Sequence, residues 1–191
     1  MNLIDSILFR INKWFVRPVI IQLKVFNHKK LLNTRVSTMV FFDGKKNIEL
    51  DNHVFIGHFC FIEGSNGLKI EEGVQITNFV SITTHSSHIS IRLYGKEYSS
   101  YKNHIGYVKG PVRIGAYSFI GPHTLIMPNT NIGKGCIVKA YSLVKGTFPD
   151  FSIIEGNPAR IVGSTKDIDN SFLKEHSFLI ELYNEWANKN I

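Results

Sequence analysis

The sequence predicts a mainly β fold, a parallel β-helix flanked by helical segments at both ends. The strongest observation is a strict period of six in the second half of the chain, carried by Ile114, Ile120, Ile126, Ile132, Val138 and Val144. A second is a small or short side chain two residues before each of them, at Val112, Ser118, Thr124, Thr130, Cys136 and Ser142. A period of six fits neither a helix nor a continuous strand, and it is typical of short strands joined by tight corners.

The first half of the chain carries the same period with one displacement. Leu50, Ile56 and Ile62 are six apart, and the period resumes after a slip of two residues with Ile70, Ile76 and Ile82. The slip falls at Gly64-Ser65-Asn66-Gly67, a turn sequence that can hold extra residues at a corner. We therefore assign residues 35–164 to the β-helix.

The coils are interrupted by a stretch without the period, residues 86–110, which we interpret as a loop insertion. Irregular insertions of this length in a regular solenoid are usually functional. We therefore expect the insertion to bind the substrate, with Arg92 and Tyr94 as candidate contacts.

The two ends of the chain have helical spacing. Residues 1–34 are assigned to an N-terminal helical segment because Ile4, Leu8, Ile11 and Phe15 form a stripe. The alternative for this helix, favoured by Trp14 and the basic cluster Lys24, His28, Lys29 and Lys30, is to lie in a membrane interface. Residues 165–191 are assigned to a C-terminal helix, capped near 167–170, that covers the open end of the solenoid.

Composition narrows the function classes. The chain has 22 Lys and Arg against 15 Asp and Glu, a formal charge of +7, which favours an anionic partner. The basic residues are dispersed, so no nucleic-acid motif is present. Two cysteines support neither a disulfide framework nor a structural zinc site, and no signal peptide or transmembrane run is found. These features favour the cytoplasm, with the inner face of the membrane as an alternative.

Two motifs resemble those of the hexapeptide-repeat acyltransferases: the unbroken hexads from Ile114 to Val144, and the exit sequence Gly-Asn-Pro-Ala-Arg-Ile-Val at 156–162. The resemblance covers roughly residues 50–163 and is closest to O-acetyltransferases of sugars and surface polysaccharides. It implies a left-handed β-helix, a homotrimer, acetyl-CoA as acyl donor, and a sugar or polysaccharide acceptor.

The catalytic candidates are two histidines at the root of the insertion. Acyl transfer to a sugar hydroxyl requires a positioned base, and histidine suits neutral pH. His85 and His88 stand where the period breaks, and the resemblance implies a catalytic histidine at this place. We expect His85 to be the base and keep His88 as the alternative.

The cofactor candidates lie in or near the last coils. The phosphates of acetyl-CoA require cations, and its long arm requires a groove with exposed backbone. The resemblance places this groove beside the C-terminal coils, which gives Lys139, Lys145 and Arg160 as cation candidates, Ala140 as a small residue beside the arm, and Phe119 at a place where relatives often have tryptophan.

Two other functions stay open at the level of the sequence. An N-acyltransferase acting on an amino sugar would use the same scaffold. A metal-dependent β-helix enzyme of the γ-carbonic-anhydrase kind would need three converging histidines. His53 and His58 are five apart but have no third partner at the required spacing, so no metal is expected.

Overall fold

Three parallel sheets, each receiving one short strand from every coil, form the faces of a prism-shaped solenoid. The structure, a computed structural model, describes residues 17–188 of the 191-residue chain. The long face holds β4 (Arg35–Ser37), β7 (Phe55–Ile56), β10 (Gln75–Ile76), β15 (Phe119–Ile120), β18 (Ile137–Val138) and β21 (Ser152–Gly156). The second face holds β5 (Phe41–Asp43), β8 (Phe61–Glu63), β11 (Ser81–Ile82), β16 (Leu125–Ile126) and β19 (Leu143–Val144). The third face holds β6 (Ile48–Leu50), β9 (Leu68–Ile70), β14 (Val112–Ile114), β17 (Thr130–Ile132) and β20 (Thr147–Phe148).

The core is the stack of aliphatic residues that the period of six predicts. Ile56, Ile76 and Ile120 are register partners on the long face, and each is 0% exposed. The preceding small positions are buried as well, from Val54 to Ser142. The parallel β-helix predicted from the sequence is therefore confirmed.

The slip in the period is a change in coil length. Leu50 pairs with Ile70, twenty residues on, whereas Ile114 pairs with Ile132, eighteen residues on. The additional residues form a corner at 64–67, where Gly64 allows close approach: a Cβ there would lie 2.4 Å from Cγ1 of Ile48. The two additional residues therefore lie in the turn, and the inward positions of the neighbouring strands keep their register.

The insertion leaves the solenoid after β11 and returns at β14, between the second and third faces. It contains β12 (His85–Ser86), the short helix α1 (Ser90–Tyr94), a 3₁₀ helix (Gly95–Ser100) and β13 (Val108–Lys109). β12 and β13 pair antiparallel and close the base of the insertion. The coil continues across it, because β10 pairs with β15 on the long face.

The described part of the N-terminal segment forms strands, so the predicted helical character does not extend over residues 17–34. β1 (Ile20–Gln22) pairs antiparallel with β4, and β2 (Val25–Phe26) forms a hairpin with β3 (Lys29–Lys30). Asn27 and His28 turn the hairpin with φ of 46° and 66°, as a two-residue hairpin turn requires. The helix predicted at residues 2–16 lies outside the described residues.

The C-terminal segment forms two helices where one was predicted. β22 (Ala159–Ser164) pairs antiparallel with β21 and covers the edge of the long face. α2 (Thr165–Glu175) begins at the cap residue Ser164, ahead of the predicted cap at 167–170, and α3 (Leu179–Ala187) follows a short turn. No helix within residues 17–188 is long and apolar enough to cross a bilayer.

Each corner of the prism carries a different structure. At the corner between the third and long faces, Trp186 of α3 packs on Tyr117 and Phe151, with ring centroids 4.7 and 5.8 Å away. The helices therefore cover the side of the last coils, while β22 covers the edge of the long face. The corner between the long and second faces carries a stack of exposed rings, and the remaining corner carries the insertion.

The stack of rings at that corner, which we call the aromatic ladder, consists of Phe59, Phe79, His123 and Tyr141. Successive centroids are 5.3, 4.8 and 4.8 Å apart and the rings are within 15° of parallel. Each of the four residues has a positive φ. Stacking across coils therefore accompanies a backbone conformation that aromatic residues rarely adopt.

Candidate active site

His85 lies at the base of the insertion, held between the solenoid and the returning strand. It is the first residue of β12, and its cross-strand partner in β13 is Lys109. The ring of Tyr107 stacks on the imidazole with centroids 5.7 Å apart and an interplanar angle of 14°. The side chain of His85 is 36% exposed, so one edge of the imidazole remains open to a ligand.

A buried carboxylate lies against the other edge of this imidazole. Oε2 of Glu63 lies 3.1 Å from Nδ1 of His85, and Oγ of Ser65 lies 3.3 Å from the same nitrogen. The Glu63 side chain is only 1% exposed. A buried charge of this kind requires hydrogen-bond donors around it.

Ser65 and Thr84 supply those donors. The backbone N–H of Ser65 donates to Oε1 of Glu63 at 2.6 Å, and the Ser65 hydroxyl donates to the same oxygen. The backbone N–H and hydroxyl of Thr84 donate to Oε2 at 2.5 and 2.7 Å. Burial raises the pKa of Glu63, but these hydrogen bonds outweigh burial and lower it to about 2.

The ionised state of Glu63 fixes the tautomer of His85. A carboxylate with no proton is an acceptor only, so Nδ1 of His85 must carry the hydrogen that lies between them. In the neutral imidazole Nε2 then keeps its lone pair. The geometry therefore prepares Nε2 to accept a proton, with Glu63 as a positioning residue behind it.

The other predicted residues of the insertion have different surroundings. His88 is exposed, and its Nδ1 lies 2.8 Å from the Ser86 hydroxyl. The Arg92 guanidinium donates to the backbone carbonyl of His88. Tyr94 packs against the rings of Tyr101 and His104 and accepts a hydrogen bond from the Ile105 N–H, so it holds the insertion together.

A cavity of about 540 Å³ opens beside the base of the insertion. Ser65 and Asn66 line it from the solenoid, and residues of the insertion line it from the other side, among them Tyr98, Lys102, Tyr107 and Lys109. The volume is in the range of small-molecule sites. The predicted substrate contacts Arg92 and Tyr94 do not line this cavity.

The cofactor candidates divide between two corners. Phe119 is 39% exposed on the long face, where its strand β15 pairs with β18. Lys139 and Ala140 follow β18 at the corner of the aromatic ladder, and the ammonium of Lys139 pairs with Glu155 at 2.8 Å. Glu155 is the cross-strand partner of Arg160. Lys145 is separate from this group, exposed at the corner that carries the insertion.

Glu63, Ser65 and Tyr107 are absent from the site predicted by sequence. A signal for Ser65 exists, because it lies one twenty-residue coil before His85, and coils in this half of the chain repeat at that distance. The single carboxylate directly after the inward Ile62 is a second signal, since a charged residue beside a core position needs a partner. For Tyr107 the period offers no signal, because the insertion has none.

Neither histidine of the metal alternative belongs to a metal cluster in the structure. His58 Nδ1 is 2.8 Å from the Ser37 hydroxyl, and His53 lies 3.9 Å from Glu72. Within residues 17–188 no group of three or more His, Cys, Asp or Glu side chains is placed to hold a metal ion.

Comparisons with known proteins point to one family. A model described as bacterial transferase hexapeptide (six repeats) matches residues 110–146. The chain is 30% identical over 161 residues to the dTDP-4-amino-4,6-dideoxy-D-glucose acyltransferase of Escherichia coli, a match covering 73% of this chain and 84% of that protein. It is 42% identical over 57 residues to a probable acetyltransferase of Mycobacterium tuberculosis, covering 30% of this chain and only 19% of that protein.

Solved structures show the same architecture. A hexapeptide-repeat acetyltransferase from Vibrio cholerae superposes with a TM-score of 0.65 at 21% identity, covering 87% of this chain and 84% of the other. A galactoside acetyltransferase in complex with coenzyme A superposes with a TM-score of 0.55 at 23% identity, covering 73% of this chain and 67% of the other. The fold is thus the left-handed parallel β-helix that the resemblance implies.

Proposed function

The chain belongs to the hexapeptide-repeat acyltransferase family, and from this premise we propose that it transfers an acetyl group from acetyl-CoA to a hydroxyl of a sugar. The acceptor would be a unit of a bacterial surface polysaccharide or its precursor. The observation that carries the proposal is the contact between His85 and the buried, ionised Glu63, next to a cavity lined by the His85 neighbours Ser65, Tyr107 and Lys109.

In the proposed reaction, Nε2 of His85 takes the proton of the acceptor hydroxyl as its oxygen attacks the thioester carbon of acetyl-CoA. The C–S bond then breaks, and the CoA thiolate leaves with the proton that the imidazolium returns. The Glu63 carboxylate stabilises the imidazolium between these two steps. An alcohol needs such a base more than an amine that arrives neutral, which favours O-acylation over N-acylation.

The experiment compares both histidines with a panel of sugars. We expect His85→Ala to lower turnover of acetyl-CoA by ~10²- to 10⁴-fold with little change in acetyl-CoA binding. His88→Ala, the matched control in the same insertion, should cost much less. Normal turnover in the His85 variant would contradict the mechanism, and a preference for amino sugars over their hydroxyl analogues would favour the N-acyl alternative.

We further propose that the donor, acetyl-CoA, binds along the long face next to the corner of the aromatic ladder. Support comes from the cations Lys139 and Arg160 on either side of Glu155, from the exposed ring of Phe119, and from the galactoside acetyltransferase, which was solved with coenzyme A. We expect Arg160→Ala to weaken acetyl-CoA binding while turnover at saturating acetyl-CoA is largely kept. Isothermal titration with CoA gives the affinity directly.

We also propose a homotrimer, because the parts of the site lie at different corners of one prism. The outward rows of two faces are mostly apolar. Phe55, Phe119 and Ile137 share the long-face row with Arg35 and Gln75, and Phe41, Phe61 and Leu125 share the second-face row with Ser81. The outward row of the third face is polar: Glu49, Lys69, Arg113 and Asn131. Packing the long face of one copy near the second face of another would bring donor candidates toward a partner's insertion.

A mixing experiment tests this arrangement. His85→Ala and Arg160→Ala subunits, mixed under conditions that exchange subunits and assayed at acetyl-CoA concentrations far below saturation of the Arg160 variant, should together be more active than either variant alone. Light scattering on the wild-type chain should give three times the mass of one chain. A monomer that still turns over acetyl-CoA would disprove the shared site.

A further inference from the structure

The cavity beside His85 is cationic. Two of its lining residues are lysines, Lys102 and Lys109, and no lining residue is acidic. Within residues 17–188 neither ammonium forms an ion pair. The nearby carboxylate of Glu63 is buried behind His85 and fully occupied by Ser65, Thr84 and the imidazole. Among the described residues, the two ammonium groups therefore have no carboxylate in direct contact, and an anionic ligand could pair with them.

One of these lysines is fixed close to the base. Lys109 is the direct cross-strand partner of His85, and partners in an antiparallel pair project from the same face of the ribbon. Tyr107, two residues earlier, stacks on the same imidazole. The returning strand therefore places a cation and an aromatic ring beside the group that would take the proton.

Lys102 and a second aromatic ring form the outer wall. Lys102 follows the 3₁₀ helix that carries Tyr98, and the ring of Tyr98 stacks on His104 with centroids 3.9 Å apart. Nε2 of His104 lies 2.7 Å from the Tyr98 carbonyl oxygen, which ties this wall together. Aromatic rings of this kind suit the faces of a sugar ring, and the lysines suit an anion attached to it.

We infer that the acceptor sugar carries an anionic group, a phosphate or a carboxylate, and that Lys102 and Lys109 bind it. This inference rests on the proposed acyl transfer, and it deepens it by naming the charge class of the acceptor. The lysines would hold the acceptor so that its hydroxyl lies at Nε2 of His85.

The test is a titration of the full chain with three probes: glucose 1-phosphate, glucuronate and the neutral methyl glucoside. We expect the anionic probes to bind at least ~10-fold tighter than the neutral one, with the difference shrinking as salt is raised. Lys109→Gln and Lys102→Gln should each remove much of that difference. Lys96→Gln, an exposed lysine of the same insertion outside the cavity, is the matched control and should have no effect.

Each outcome decides the inference. Tighter binding of the phosphate than of glucuronate identifies a phosphoryl group as the anion, and the reverse order identifies a carboxylate. Equal binding of charged and neutral probes, or no binding of either anion at millimolar concentration, overturns the inference. So does a loss of CoA affinity in the two lysine variants, because the cations would then serve the donor.

The proposed function can fail separately. If acetyl transfer to neutral sugars proceeds without any preference for charged ones, the acyl transfer stands and the charge assignment falls. If the anionic probes bind through the lysines but no acetyl transfer is detected with any sugar, the cavity is an anion site and the proposed reaction falls.

Discussion

At the scale of single residues, the candidate site depends on the carboxylate of Glu63, which is surrounded by hydrogen-bond donors. Glu63 accepts hydrogen bonds from two backbone N–H groups and two hydroxyls, and it keeps its negative charge although it is buried. His85 is thus oriented by a group that the fold, rather than solvent, keeps ionised.

Glu63→Gln tests this orienting role. The amide cannot stabilise an imidazolium as a carboxylate does, so we expect turnover to fall by ~10- to 10³-fold while KM for acetyl-CoA changes little. The double variant His85→Ala/Glu63→Gln should be no slower than His85→Ala alone, because the two residues act as one unit. Additive losses in the double variant would show that Glu63 affects turnover independently of His85, and this would contradict the orienting role.

The Glu63 carboxylate also makes the free energy of unfolding depend on pH in the acidic range. Its pKa is about 2 in the folded chain against 4.5 ordinarily, so its contribution is fully present above pH 4.5 and is lost as the pH falls toward 2. The free energy of unfolding of the wild type should fall relative to Glu63→Gln by up to about 3 kcal/mol over that interval. Denaturant titrations at several pH values measure it, and parallel profiles of the two proteins would contradict the assignment.

At the scale of elements, the C-terminal segment shows that apolar spacing alone does not predict where a helix ends. The apolar stripe of Leu179, Tyr183 and Trp186 continues that of Phe172 and His176 with helical spacing, so the sequence predicts one helix. The break at 176–178 leaves this spacing intact, so the spacing does not show that one helix ends at Glu175 and another begins at Leu179. The period of six, by contrast, fixes strand positions residue by residue, because each inward side chain stacks on its equivalent in the next coil.

A hydrogen bond between Tyr183 and Asp169 links the two C-terminal helices, and it predicts that the stability of the fold falls at alkaline pH. Burial and the neighbouring Asp169, through its charge and hydrogen bond, raise the pKa of Tyr183 to about 12. A raised pKa stabilises the fold below pH 10, and the contribution is lost as the pH rises from 10 to 12. The melting temperature of the wild type should exceed that of Tyr183→Phe near neutral pH, and the difference should shrink above pH 10. A constant difference would show that the phenol does not titrate with unfolding.

At the scale of the whole molecule, stability depends on an uninterrupted apolar column. Ile120 is 0% exposed and stacks between Ile76 and Val138. Ile120→Asp would bury an unpaired carboxylate and should cost several kcal/mol, enough to abolish the cooperative melt seen by circular dichroism. Asn131→Asp, at an exposed outward position of the polar third face, is the control and should melt close to the wild type. A normal melt for the Ile120 variant would remove the inward assignment.

The insertion is attached to the solenoid at one corner only, and this has a consequence for engineering. The chain leaves after Ile82 and returns at Val112, and the coil pairs across the gap as if it were absent. Replacing residues 87–107 with a short turn between β12 and β13 should leave the melting temperature and CoA affinity close to wild type, because loop length changes closure entropy slowly. Sugar binding should disappear with the removed segment. We therefore expect the insertion to be exchangeable: replacing it with the insertion of a relative should change which sugar binds and leave the affinity for CoA close to that of the wild type.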